Sequence, residues 1–382
     1  MKKITLVFLL ISSAFGNLSA ATQYTVSLLT ADPGDKFYSV FGHSAIRIKT
    51  DISNCDFVYN FGMFSPSKPD LFYNLVGGRM IYYMNKEPYE EFISQYKKNK
   101  RSVREQILNM DSVKTMFIFD LLEDNYKNEN RYYQYKFLHN NCATRIRDIV
   151  MQAFYDIKVP ESHKTSTYRN LAHRYLQKHP WEKIVIDITF GMYIDQEIDS
   201  YEQMFLPDYL SDILAKASSH GQPIVKDTNN LFVSKQSSTK SFTLVTPTVV
   251  CYTVLVLSVL FSFIKKWSRF FNFVLFFVVG MIGVLISFLW FFSDHSIVAV
   301  DNWNIIWALP THIVMVFFLL PSKYSNFTRK YFLVTAIVSL SLILSWIFLP
   351  QQLNPTLIPL ILAIALRGIG IYKRNVKQAR KE

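Results

Sequence analysis

The chain has 382 residues, half of them hydrophobic, and a formal net charge of +12. That length accommodates two units rather than one. Much of the positive charge lies on short stretches between apolar runs after Ser241, which reads as membrane topology rather than nucleic-acid affinity. No C2H2, RNA-binding or P-loop pattern appears.

Residues 1–21 have the form of a signal peptide. Lys2 and Lys3 open it, Ile4–Phe15 is an apolar stretch too short for an ordinary span, and Ser19-Ala20-Ala21 supplies small residues for cleavage. No cysteine follows the apolar stretch, so the chain is not expected to be a lipoprotein itself.

Residues 22–215 are expected to form an exported α+β domain. Tyr24–Leu29, Ser39–Ile48 and Phe57–Phe61 read as strands, the last two separated by a turn-rich stretch at Asp51–Asp56, and Met80–Met84 is a further short β-like run. Helical spacing covers Tyr89–Arg101 and Ser112–Asn125. Cys142–Phe154 is an amphipathic helix with Ile146, Ile149, Val150 and Phe154 along one side, and Asn140 and Asn141 before it are N-cap types. His163, His173 and His179 fall in a charged stretch that reads as solvated surface. Residues 216–241, rich in Ser, Lys, Asn and Gln, read as a linker.

Residues 242–372 carry five apolar segments: Phe242–Ile264, Phe270–Phe292, Ile305–Leu320, Tyr331–Leu349 and Leu357–Tyr372. Each is near the roughly twenty residues that cross hydrocarbon, the third and fifth being short. Lys265, Lys266 and Arg269 follow the first; Lys323, Arg329 and Lys330 follow the third; a basic tail, 373–382, follows the fifth. The alternating connections Ser293–Trp303 and Pro350–Pro355 carry no Lys or Arg, so the basic set belongs on the cytoplasmic side and the N-terminal domain outside. Asn302, Asn304 and His312 enter the third segment from its outer end. Polar groups there are costly. They are either an interfacial loop with Trp303 and Trp307 as belt residues, or a strip near the active site that binds substrate.

Cys142 is the candidate nucleophile. Helix N-termini favour a thiolate and can hold an oxyanion. His43, in Gly42-His43-Ser44-Ala45-Ile46-Arg47, is the candidate base, with Asn60 to orient it and Tyr59 as the alternative. His139 is a rival base that more naturally lines the pocket, together with Asn141 and Arg145. Arg147 reads equally as phosphate-binding or as part of a salt-bridged face. No zinc-type spacing and no Gly-x-Ser-x-Gly elbow appears, so neither a metal nor a cofactor is expected. A Cys55–Cys142 disulfide is the competing reading of the two exported cysteines.

Gly42-His43-Ser44-Ala45-Ile46-Arg47, Tyr59-Asn60-Phe61-Gly62 and Asn141-Cys142-Ala143-Thr144-Arg145 together resemble the Lnb-type lipoprotein N-acyltransferases. The His-then-Cys order is similar to circularly permuted papain-like (NlpC/P60-like) enzymes. The resemblance implies a permuted papain-like α+β domain before a bundle of five spans in a bacterial inner membrane. It further implies an acyl chain passing from a membrane lipid donor through a Cys142 thioester to the amine of a lipoprotein. A tethered cysteine peptidase or amidase acting on cell-wall peptide would use the same dyad.

Overall fold

The structure, a computed structural model, describes residues 24–50, 55–65, 70–161, 166–235, 244–321 and 323–374. The expected signal peptide, most of the 51–56 turn, His163, the end of the linker and the basic tail beyond 374 lie outside these residues.

The N-terminal half is built on one antiparallel sheet. Its strands are β1 (Tyr24–Ala31), β2 (His43–Thr50), β3 (Cys55–Met63), β4 (Ile81–Pro88), β5 (Val103–Leu108), β6 (Tyr132–Gln134) and β7 (Val225–Phe232). They lie in the order β7-β5-β1-β2-β3-β4-β6, and every neighbouring pair is antiparallel. β1 and β2 are buried along most of both faces because both faces are covered. On one face Ile46, Ile48, Tyr59 and Phe61 meet three helices: α3 (Ser112–Tyr126), α4 (Cys142–Ala153) and α7 (Pro207–Leu214). On the other, Leu29, Ala45 and Val58 meet Phe92 and Ile93 of α2 (Tyr89–Lys98). The short helix α1 (Leu71–Gly77) precedes β4. Two further helices follow, α5 (Tyr168–Tyr175) and α6 (Pro180–Thr189), and α6 is hydrogen-bonded to the membrane half.

The expected linker is only partly a linker. Val225–Phe232 pairs with β5 as an edge strand, with most of its side chains exposed. An edge strand is held through its backbone, so its Asn- and Asp-rich sequence does not show apolar alternation.

The membrane half contains α8 (Pro247–Phe263), α9 (Lys265–Phe291), α10 (Asn326–Leu344) and α11 (Ile358–Lys373), the last preceded by a 3-10 turn at Pro355–Leu357. Trp267–Phe291, Asn326–Leu344 and Pro355–Lys373 are long and apolar enough to cross a membrane, and Pro247–Phe263 is a shorter apolar helix. The third expected span is not a continuous helix. It is broken into 3-10 turns at Trp303–Ile306 and Val316–Leu319 with a four-residue helix, His312–Met315, between them. Pro310 within it has no N–H to donate. Gly280 and Gly283 of α9 let this irregular backbone approach closely: a Cβ on Gly283 would stand 1.9 Å from the Ala308 carbonyl oxygen. Trp307 and Ala308 are fully buried, the condition under which non-helical backbone is tolerated at membrane depth. Buried Arg367 ties α8, α9 and α11 together. It donates to the Asn272 side chain (2.6 Å), the Ser258 carbonyl (3.1 Å) and Ser262 Oγ (3.0 Å).

Candidate active site

Asn141 fixes the start of α4. Its Oδ1 accepts from the amides of Ala143 (2.8 Å) and Thr144 (2.9 Å), and Thr144 Oγ1 accepts from the Asn141 amide, which completes a capping box. Its Nδ2 donates to the carbonyls of Phe137 and Phe205. Expected to bind substrate, Asn141 is instead a buried cap whose polar atoms all have partners within the fold.

This cap presents Cys142 to the end of the sheet. Gly62 is at φ +87°, and a Cβ there would lie 3.4 Å from Cys142 Cβ. The thiol faces the amides of Ser44, Ala143 and Cys142 itself. Burial pushes its pKa up, against the smaller opposing effects of these amides and of the Arg101 charge. The expected lowering by the helix N-terminus is therefore outweighed, because desolvation penalises the thiolate more than the amides favour it. Cys55 and Cys142 are both free. Cys55 begins β3 while Cys142 lies beside Gly62 near its other end, about 24 Å along the strand at about 3.4 Å per residue. A disulfide between them is excluded.

His43 opens β2 after Gly42, whose φ of +80° and contact with the Ala31 carbonyl admit no side chain. The imidazole Nε2 pairs with Asn60 Oδ1 at 3.0 Å, and Asn60 Nδ2 donates to Glu87 Oε1 at 2.5 Å. Gln95 of α2 donates to the other oxygen of Glu87 at 2.9 Å. Because Asn60 donates to the carboxylate, its Oδ1 must accept from His43, which puts the ring proton on Nε2 and leaves Nδ1 as the basic atom. Burial lowers the His43 pKa to about 4, with the Asn60 hydrogen bond opposing and the Arg101 charge reinforcing the shift. The resting pair is a neutral thiol and a neutral imidazole.

The two groups approach from opposite faces of the sheet. His43 stands on the Ala45–Val58 face and α4 on the Ile46–Phe61 face. They are brought to one end of it: the thiol lies against the amide that follows His43, and both groups sense Arg101. Among the described residues no hydrogen bond joins them directly.

Around the thiol stand tyrosines whose importance the sequence did not reveal. Tyr82, Tyr96, Tyr133 and Tyr135 are all held above their usual pKa, first by burial and further by proximity to Cys142. Tyr82 stacks between Phe64 (5.0 Å) and Tyr135 (4.2 Å). The buried Tyr133 hydroxyl has the Gly62 backbone as its hydrogen-bonding neighbour and lies 3.9 Å from the same Gly62 Cβ position that Cys142 Cβ approaches. The buried Ser44 hydroxyl is unpaired.

Other expected site residues are placed differently. Tyr59 is a core side chain whose hydroxyl donates to Glu123, itself paired with Lys86. It points away from Asn60, as neighbours on a strand must, so Asn60 and not Tyr59 orients His43. His139 pairs with the Tyr193 hydroxyl (3.1 Å) and packs edge-on to Tyr168 and Tyr193. Arg145 donates to Asn140 (2.7 Å), covers the Tyr133 ring at 4.2 Å and lines a cavity of about 220 Å³ with Phe61, Asn125, Asp148 and Gln152. Arg147 is held by Asp148 and by the ring and carbonyl of Tyr201.

Asn302 and Asn304 do face the soluble domain, but they meet α6 and are buried. Asn302 Nδ2 donates to the Ile188 carbonyl and Asn304 Nδ2 to the Asp187 carbonyl, both at 2.8 Å. Asn304 Oδ1 accepts from Trp307, and Asn302 Oδ1 from the Asn304 amide. Their amide groups join the two halves, which replaces the expected substrate-binding role. The Asp187 carboxylate completes the joint, receiving Arg169 (2.8 Å), His173 (2.8 Å) and Asn354 (2.9 Å). Burial would raise the Asp187 pKa, but His173 and Arg169 hold it below its ordinary value. His173, expected at the solvated surface, is thus part of this joint. His312 is fully buried between helices, its Nδ1 paired with the Tyr331 hydroxyl at 2.7 Å.

An α/β domain clasped to apolar helices of spanning length defines a membrane protein with an extramembrane domain. Residues 14–174 match the Lnb N-terminal periplasmic domain, and residues 237–379 match the Lnb transmembrane domain. The two matches take up most of the chain, which belongs to the Lnb family and carries its α/β domain in the periplasm. Comparison with curated proteins and with solved structures returned no match.

Proposed function

We propose that the protein is a lipoprotein N-acyltransferase that works through a thioester on Cys142. The observation that carries this reading is the His43–Asn60–Glu87 chain beside a helix-capped thiol in an Lnb periplasmic domain. As Sγ attacks the ester carbonyl of a membrane lipid, His43 Nδ1 takes the thiol proton. The resulting oxyanion is within reach of the amides of Ser44 and Cys142 and of the Tyr133 hydroxyl. Collapse breaks the ester C–O bond, and His43 returns the proton to the departing alkoxide. That leaves a thioester on the enzyme and a lipid alcohol. The amine of a lipoprotein's N-terminal cysteine then attacks the thioester. His43 takes the amine's proton and passes it to the Cys142 thiolate as the C–S bond breaks, releasing the amide. Neither a metal nor a cofactor enters the scheme.

Charge alternation supports a multi-pass protein of a bacterial inner membrane with five crossing segments, the third of them broken at Pro310. The experiment is mass spectrometry of lipoprotein N-termini in cells with the wild-type chain or with Cys142→Ser. An N-acyl mass present only with the wild type supports the proposal. N-termini unchanged by the substitution, with altered cell-wall peptides instead, would move the assignment to a peptidase.

A further inference from the structure

The helix α1 is pinned to the outer end of a membrane span. Asp294 and His295 follow α9 within four residues of Phe291. The Asp294 amide donates to the Gly77 carbonyl (2.9 Å), and His295 Nε2 donates to the Leu75 carbonyl (2.8 Å). Gln134 of β6 donates both to the Gly78 carbonyl (2.8 Å) and to Asp294 Oδ2 (2.9 Å). Gly78, at φ +73°, makes the contact possible, since a Cβ there would stand 2.8 Å from the His295 nitrogen.

This docking fixes the height of α1 relative to the bilayer. Trp267 and Trp290 stand near the two ends of α9, about 35 Å apart at about 1.5 Å per residue, the spacing of two interfacial aromatic belts. At the level of Trp290 and just beyond it, α1 leaves Phe72 77% exposed and Tyr73 65% exposed, with Leu75 exposed beside them. Phe291 and Phe292, at 65% and 71%, are exposed at the end of the span itself, just before the Asp294–His295 contact with α1. A soluble protein does not ordinarily leave so many large apolar side chains together in water. From α1 the chain passes into β4, where Tyr82 stacks on Phe64 and Tyr135 beside Cys142.

We infer that α1 is a lipid-contacting element: Phe72, Tyr73 and Leu75 lie in the outer leaflet beside Phe291 and Phe292. The Phe64–Tyr82–Tyr135 column is the wall along which an acyl chain passes from that leaflet to the thiol. The leaflet contact stands on geometry alone, whereas the acyl path rests on the proposed acyl transfer.

The test uses the full chain carrying Cys142→Ser, so that no turnover is needed. Phe72→Trp is placed in that chain with its native tryptophans replaced by phenylalanine, except buried Trp307, and reconstituted into phosphatidylethanolamine–phosphatidylglycerol vesicles. Lipids brominated near the glycerol end of their chains should quench the introduced indole, since interfacial apolar side chains bury about 5–10 Å into the headgroup–acyl boundary. Unquenched, water-like emission, or shielding that appears only as protein concentration rises, would overturn the inference. In chains with the native Cys142, Phe72→Ser/Tyr73→Ser/Leu75→Ser should lower acylation by bilayer lipid about tenfold or more, the scale of losing several buried apolar contacts. Acylation by a short-chain soluble ester should stay at the wild-type rate. Equal loss on both donors would overturn the acyl path. A wild-type chain that acylates from neither donor would instead remove the proposed function, leaving the quenching result to stand by itself.

Discussion

Two of the buried polar regions in this protein differ in what they leave unpaired. At the α6–Asn302–Asn304 joint each amide and carboxylate described here has a partner, and Asp187 alone receives three side chains. At the Cys142 end of the sheet the Ser44 hydroxyl is buried without one, beside a thiol and an imidazole that are both neutral. A buried polar group without a partner costs about 1–3 kcal/mol, so a fold keeps one where something else is to supply the partner. The joint is a clasp by its complete pairing, and the Cys142 end is the site we propose.

The largest expected effect breaks the site and spares the clasp. Cys142→Ser and His43→Ala should each lower acyl transfer about 10⁴-fold or more, and the double variant should be no worse than either. Membrane levels and thermal stability should stay near wild type, and Cys55→Ser should keep most activity. Loss of activity in Cys55→Ser equal to that in Cys142→Ser would contradict the assignment.

The converse substitution is Asp187→Asn. It removes one of the two carboxylates on buried Arg169, which keeps its two-point pair with Asp195 (2.7 and 3.0 Å), so the cost should fall below the ~3–5 kcal/mol of orphaning a buried charge. Thermal unfolding in detergent should move down accordingly, while the surviving folded protein should alkylate at Cys142 at the wild-type rate. Lower intrinsic Cys142 reactivity in that folded protein would merge the two regions into one. The clasp also has an acid limit. The Asp187 pKa is depressed, so its contribution is present above the ordinary carboxylate range and is lost as pH falls through the folded value.

Tyr133→Phe sharpens the comparison. If its hydroxyl meets the developing oxyanion, turnover should fall about 10²-fold, within the range for losing one such donor, with little change in stability. Unchanged turnover would leave the Tyr133 hydroxyl without a catalytic role.

The smallest effect is in pH. His43 titrates at about 4 rather than 6.5, so kcat/KM should hold down to about pH 5 and then fall with an acid limb near 4. Asn60→Ala removes the contribution that raises this value and should shift the limb lower. Stability follows the same group: between pH 6.5 and 4 the unfolded chain binds a proton that buried His43 refuses, so stability declines as pH falls through that window. A limb near 6.5 would mean an exposed imidazole.

The parts of the molecule that could be read from the sequence are those set by local pattern. Alternation gave β1 to β4 to within a few residues. The 3.6-residue period and the Asn141 cap placed Cys142 at a helix start. His43 with Asn60 followed from residue chemistry on adjacent strands. What the sequence hid depends on distant contacts. Val225–Phe232 is a strand only because β5 offers it backbone partners. Glu87 and Gln95 carry no motif and reach Asn60 through the pairing of β3 with β4 and the packing of α2. Asn302 and Asn304 are unusual at the edge of an apolar segment, but their partners lie on α6, more than a hundred residues earlier in the chain. The thiol's raised pKa was hidden for the same reason: a helix N-terminus is local, and desolvation is not.

The most direct measurement is the intact mass of the purified chain after incubation with phospholipid and no lipoprotein acceptor. One acyl chain should be added, removable by neutral hydroxylamine, mapped to Cys142 and absent from Cys142→Ser. An acyl mass on any other residue, or the same mass on Cys142→Ser, would contradict the thioester on which the proposed mechanism depends.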